Sequence, residues 1–390
     1  MRRGLFFLLS FALGALWPAA APAQAPTPLF PSTGPVPAQA APAPLPSISA
    51  QACNACHGEV HDQWAASGHA RASTNPVYRK AVEAAGDPLL CRDCHLPLEN
   101  QRADLASGKG KLGASQRIAN PAFQPSLALE GVTCAACHVR DGVILGPRDL
   151  PADRAPHPVR AEAALRGAEA CAACHQITLP GAEEHPFVDT LGEWARSPYA
   201  EAGITCADCH MKRVSGIVGG SRYATFASHG LTRGLEPREL ARALTVEVGL
   251  RGTTVVRGDD LRATATVMNT GAGHAVPTGM PDARLRVRFD VEAPDGTTPK
   301  GAEPSVVDLG RVLEEEPPFA LVSDDRIPAA GSRTFDYTWV VPKKLTPGPL
   351  VLVVRVERLA ATEERAAAIG LTLDDVRVPI VEQRIPFVIE

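Results

Sequence analysis

From about Ala243 onward, apolar positions alternate with polar ones. Leu244-Thr-Val246-Glu-Val248, Leu261-Arg-Ala263-Thr-Ala265-Thr-Val267 and Leu285-Arg-Val287-Arg-Phe289 repeat with a period of two, the spacing that turns one face of a strand into a core. Phe335-Asp-Tyr337-Thr-Trp339, Leu350 to Val356 and Ile385 to Ile389 extend the series, and Pro294-Asp-Gly296 supplies a turn. Ala361 to Gly370 predicts one short helix. The pattern predicts an all-β, immunoglobulin-like sandwich over residues 240–390.

Upstream, over residues 49–235, the periodic stretches are short. Helical segments fit Glu162 to Ala172 and Val188 to Ala195, with Pro- and Gly-containing loops between them, which predicts a mainly α and irregular domain. Residues 26–48 are Pro/Ala-rich and nearly uncharged, a composition that favours an extended spacer. Arg2 and Arg3 precede the apolar run Leu5 to Trp17, and Ala21-Pro-Ala23 and Ala23-Gln-Ala25 offer small-x-small cleavage sites. Residues 1–25 therefore read as a cleaved signal peptide. The run is short for a bilayer span of roughly 20 apolar residues. The mature chain is expected to be exported, to a periplasm or similar space, with no transmembrane segment.

Composition changes this picture in two ways. The 39 basic and 43 acidic side chains give a net charge of -4, without the basic surplus of a nucleic-acid binder. Aromatics make up only 5%, beside ten cysteines and eleven histidines. A chain so poor in aromatics needs something else to fill its core.

All ten cysteines fall in five Cys-x-x-Cys pairs, each followed at once by a histidine: Cys53-Cys56-His57, Cys91-Cys94-His95, Cys134-Cys137-His138, Cys171-Cys174-His175 and Cys206-Cys209-His210. The pattern is the attachment signature of c-type haem. Two thiols one helical turn apart each form a thioether with a haem vinyl group, and the adjoining histidine binds the iron. Four-thiolate zinc sites would strand one of five pairs and leave the histidines unexplained. Short disulfides would leave them unexplained too, and a thioredoxin-like motif would occur once. The expectation is five covalently attached haems c, with folding dependent on their attachment.

Six histidines remain: His61, His69, His157, His185, His229 and His274. The supply nearly equals five distal positions, which predicts mostly bis-histidine, low-spin irons suited to electron transfer. His61, four residues after His57, would stack along its own helix and is the expected spare. His69, His157, His185, His229 and His274 are the candidate distal ligands. His274, in Gly271-Ala-Gly273-His274-Ala-Val-Pro277-Thr-Gly279, would carry its ligand from the second domain into the first.

With these residues in view, the chain resembles the multihaem cytochromes c related to hydroxylamine oxidoreductase and to its tetrahaem electron-accepting cytochrome. The resemblance is carried by Cys53-x-x-Cys56-His57 with Trp64-x-x-Ser67-x-His69-Ala70, by Glu193-Trp194-x-x-Ser197-Pro198-Tyr199 leading into Cys206-Ala-Asp208-Cys209-His210-Met211, and by Gly273-His274-x-x-Pro277-Thr-Gly279. It implies helical haem wrapping, parallel and perpendicular haem pairs, respiratory electron transfer and a distal role for His69. Five cores differ from the carrier's four and the oxidoreductase's eight, none ends in lysine, and Tyr78, Tyr199 and Tyr223 have no distinguishing context. The leading expectation is an electron carrier between redox-partner proteins. The alternatives are an oxidoreductase with one open-coordinated haem acting on a small nitrogen or sulfur compound, and a structural or docking subunit.

Overall fold

The computed structural model describes residues 29–31, 34–107, 116–150, 155–180, 182–231, 236–317 and 319–390. The signal segment expected over residues 1–25 lies outside the described residues.

The alternating pattern folds as two facing sheets. One has three antiparallel strands in the order Ser332–Val340, Asp260–Asn269, Leu244–Leu250. The other has five, in the order Ser305–Leu309, Arg284–Glu292, Gly348–Leu359, Arg377–Ile389, Thr254–Val255, antiparallel except for the last pair. Along Asp260–Asn269, Leu261, Ala263, Ala265 and Val267 are all buried, as period two requires. They meet Leu285, Val287, Phe289 and Val291 of the opposite sheet in one core. Phe289 stacks on Tyr337 across the gap, centroids 5.5 Å apart. Each strand expected from alternation is present, and the expected helix forms over Glu363–Ala368, capped by the Thr362 hydroxyl. Ser305–Leu309, Arg311–Leu313 and Leu321–Asp324 are additional strands.

The cysteine-bearing half is less helical than its sequence predicts. Its longest helix is Pro76–Ala84, nine residues. Three small sheets accompany the helices: Asp104–Ser107 with Gln116–Ala119, Val139–Arg140 with Val143–Gly146 and Val159–Ala161, and the hairpin Arg213–Gly219 with Arg222–Ala227. Its described core cluster has seven buried apolar residues, against 22 in the sandwich core. Such a half cannot hold itself together by apolar side chains alone.

The Pro/Ala-rich stretch departs from a free spacer. Val36 and Ile48 are buried with Leu98 and Leu127. Val36 exchanges backbone hydrogen bonds with Pro97 and Glu99, and Gln39 does so with the Asn100 amide. Two apolar side chains at the right places anchor an otherwise featureless segment. No helix among the described residues is long and apolar enough to cross a membrane.

Candidate functional site

Each Cys-x-x-Cys-His core begins on a short helix: Ala50–Asn54, Leu89–His95, Cys134–His138, Glu169–His175 and Cys206–His210. One turn of helix brings both thiols and the histidine to one side. In the first core the helix stops at Asn54, and His57 opens the next helix, Gly58–Ala65. No disulfide joins any two of the ten cysteines.

Five of the imidazoles are oriented by backbone carbonyls. Nδ1 of His57 meets Val218 O at 2.5 Å, that of His95 meets Ala72 O at 2.6 Å, and that of His138 meets Leu145 O at 2.8 Å. Nδ1 of His229 lies 2.9 Å from Ala227 O, and Nδ1 of His274 lies 2.9 Å from Ala275 O. A carbonyl can only accept, so each Nδ1 donates and Nε2 keeps its lone pair, the arrangement of a metal-ligating imidazole. Burial drives the basicity of His69, His210 and His229 down to about 4 and lowers that of His175 and His138. These rings are therefore neutral at neutral pH.

All eleven histidines are among the described residues, and eight of them form four facing pairs. His57 faces His157 at 6.3 Å between ring centroids, His175 faces His69 at 6.4 Å, His138 faces His229 at 6.0 Å, and His210 faces His274 at 6.3 Å. Every pair joins one core histidine to one from elsewhere in the chain. Stacked rings in van der Waals contact would stand closer, as Tyr78 and His95 do at 3.7 Å. Two metal–nitrogen bonds of about 2 Å each, plus the two ring radii, add up to about 6 Å. The pairs thus have the spacing of two imidazoles on opposite sides of one metal ion, and the donor set fits haem c.

Backbone details hold the partners in place. Gly131 approaches the chain so closely that a Cβ there would lie 2.3 Å from His69 O, and Val132 N donates to the same oxygen at 2.9 Å. Trp64 Nε1 donates to Val132 O at 2.8 Å, tying the Trp64-x-x-Ser67-x-His69 element to this turn.

The second core, that of His95, differs. His95 faces Tyr78, whose ring lies parallel to it within 7°. The lone pair of an imidazole lies in the ring plane, so Tyr78 packs beside the ligand direction and not across from it. His185 lies in the loop between the bridged residues Ile177 and Val188 and makes no ring contact among the described residues. His61 tilts against Trp64 at 5.6 Å. Sequence reasoning gave Tyr78 no role; only the fold brings it to His95.

The cores are neighbours through their thiols. Cys53 lies within hydrogen-bonding reach of Cys134, Cys94 of Cys174, and Cys171 of Cys206. Cys137 is close enough to Cys171 and Cys174 to perturb both. The order of contact is first core to third, third to fourth, and fourth to both second and fifth.

No protein-family model and no curated protein matches the chain. Among solved structures, a penta-heme cytochrome c552 from Thermochromatium tepidum is similar at a TM-score of 0.60 and 18% identity, covering 87% of this chain and 99% of its own. The chain therefore has the fold of a multihaem cytochrome c, including its β-rich part. The CARDB domain of a Pyrococcus furiosus protein is a much weaker likeness, with a TM-score of 0.20, 16% identity, and coverage of 38% of this chain and 87% of its own.

Proposed function

We propose that the chain is an exported pentahaem c-type cytochrome that passes electrons between redox-partner proteins in a respiratory chain. The observation that carries this reading is the set of four histidine pairs at 6.0–6.4 Å. The five Cys-x-x-Cys pairs would hold the macrocycles, and His57, His95, His138, His175 and His210 would be the proximal ligands. His157, His69, His229 and His274 would be the distal ligands of the first, fourth, third and fifth cores respectively. Bound haem supplies a one-electron iron couple whose potential the protein sets through ligands and burial. The chain's own residues keep His69, His138, His175, His210 and His229 neutral by burial, fix the tautomers of His57, His95, His138, His229 and His274 through Nδ1, and bring the cores into contact through their thiols.

Residues 49–235 are read as the haem domain and residues 240–390 as an immunoglobulin-like support that contributes His274. Export rests on the signal pattern in residues 1–25. The narrower relation to the hydroxylamine oxidoreductase group rests on the three sequence elements that carry it.

The site at His95 favours a second reading, an oxidoreductase acting on a small nitrogen or sulfur compound. Four pairs would serve four irons, and among the described residues neither His61 nor His185 makes a ring contact with His95, whose ring neighbour is Tyr78. On this reading the iron at His95 would lack a paired distal histidine and would be open to a small molecule. Mass spectrometry of the exported protein is expected to give the mature polypeptide plus five haem groups; fewer would overturn the pentahaem reading. The reduced protein is expected to bind one carbon monoxide per chain, and His185→Ala is expected to leave that stoichiometry unchanged. No binding in the wild type, appearing only in His185→Ala, would make His185 the missing ligand and remove the open position.

A further inference from the structure

The element Glu193-Trp194-x-x-Ser197-Pro198-Tyr199, which the haem chemistry leaves without a role, and the loop Gly271 to Gly279 that carries His274 are each other's binding surfaces. A Cβ at Gly273 would lie 3.5 Å from Trp194 Cδ1 and from Tyr199 Cβ, so the His274 loop runs over these two rings. Tyr199 donates its hydroxyl proton to Thr270 O at 3.1 Å, and Trp194 donates Nε1–H to Ile204 O at 2.9 Å, which fixes both rings. A Cβ at Gly271 would lie 1.9 Å from Arg242 O, so this end of the loop has no room to shift.

Glu193 reaches across from the cysteine-bearing half. Its Oε2 accepts from Ala275 N at 3.2 Å and from the Thr278 hydroxyl at 2.6 Å, on either side of the cis Val276–Pro277 bond. Thr190 and Thr278 hydroxyls lie 2.8 Å apart. The other carboxylate oxygen pairs with Arg326, and both side chains are buried, 6% and 7% exposed. Arg326 is held in turn by Asp324 at 2.6 Å. From the sandwich side, Asn269 Nδ2 donates to His274 O at 2.8 Å.

We infer that Glu193 is a positioning residue that holds His274 across from His210, so that one buried carboxylate sets the ligation of the fifth core. The inference rests on the reading above that His210 and His274 share one iron. The Ala275 peptide takes Nδ1–H of His274 through its oxygen while its nitrogen is tied to Glu193, so the carboxylate acts on the ligand through one residue. A structural salt bridge elsewhere in the sandwich would stabilise the chain without touching any iron.

The test is the spin state of the purified holoprotein. Glu193→Ala is expected to move one haem in five from low to high spin, reversed by added imidazole, while Glu193→Gln, which keeps an acceptor oxygen, keeps more of the low-spin signal. Thr278→Val, a smaller lesion that leaves the ion pair in place, is expected to raise the high-spin fraction of the same haem by less. Wild-type spectra in Glu193→Gln and Thr278→Val, with Glu193→Ala either unchanged or unfolded, would overturn the inference. His274→Ala is the control: if it leaves the spin count unchanged, the ligation reading fails; if it converts one haem while the Glu193 and Thr278 variants do not, only the positioning role fails.

Discussion

Replacing His274 by alanine is expected to convert one haem from low to high spin and to leave the other three histidine pairs as they are. The expectation follows from the separation of ligands in the chain: His274 is the single distal candidate that comes from the β-rich half, and it faces His210 at 6.3 Å. On the proposed ligation, removing its imidazole would leave this iron with His210 as its single strong-field nitrogen, which is the condition for a high-spin iron. The halves should stay docked. Glu193–Arg326, the Thr190–Thr278 contact, Tyr199 to Thr270 O and Arg311 to Phe187 O all remain. A change confined to one haem, with little loss of stability, therefore separates ligation from folding. Magnetic circular dichroism and paramagnetic resonance of the variant read the change directly, and a spectrum identical to the wild type would rule out ligation between the halves.

Arg326→Met carries the largest expected stability cost. The guanidinium is buried against Glu193, which is itself buried, and it also compensates Asp324. Asp324 is held below the usual carboxylate range chiefly by its hydrogen bonds with Arg326, against the opposing effect of burial. Removing one member of a buried pair leaves the other charge without its partner, a loss of about 3–5 kcal/mol. Denaturant unfolding of the holoprotein measures it. Because the cost is the orphaned charge, Arg326→Met combined with Glu193→Gln should be less destabilised than the sum of the two single changes. A cost below about 1 kcal/mol, the range of an exposed pair, would mean that this contact does not hold the halves together.

Much of the fold was legible in the sequence because its signals are local. Leu261, Ala263, Ala265 and Val267 alternate in the chain and so appear together in the core. The hairpin Arg213–Ala227 was missed because Val214, Gly216, Ile217 and Gly219 break the alternation, and its pairing has a register shift at Ile217. The five cores were legible for the same local reason, since a Cys-x-x-Cys-His motif carries its whole geometry within five residues.

The distal pairing was not legible, because it is a property of the fold. His69 lies twelve residues beyond His57 but faces His175, and His157 returns to face His57. Counting histidines against irons makes His185 a distal candidate, but its position opposite an iron is not readable from its spacing to any core, and its loop between Ile177 and Val188 gives it no ring contact among the described residues. Tyr78 shows the converse: unremarked in sequence, it lies 3.7 Å from His95. Glu193 was quoted only as part of a motif, and its contact with Thr278 spans 85 residues.

In the proposed ligation, four histidine pairs would each hold one iron and the iron at His95 would have no paired histidine. Paramagnetic resonance of the oxidised full-length protein, scaled to haem per chain, tests it most directly. Four low-spin haems and one high-spin haem are expected. Five low-spin haems, or two or more high-spin haems in the intact protein, would contradict it.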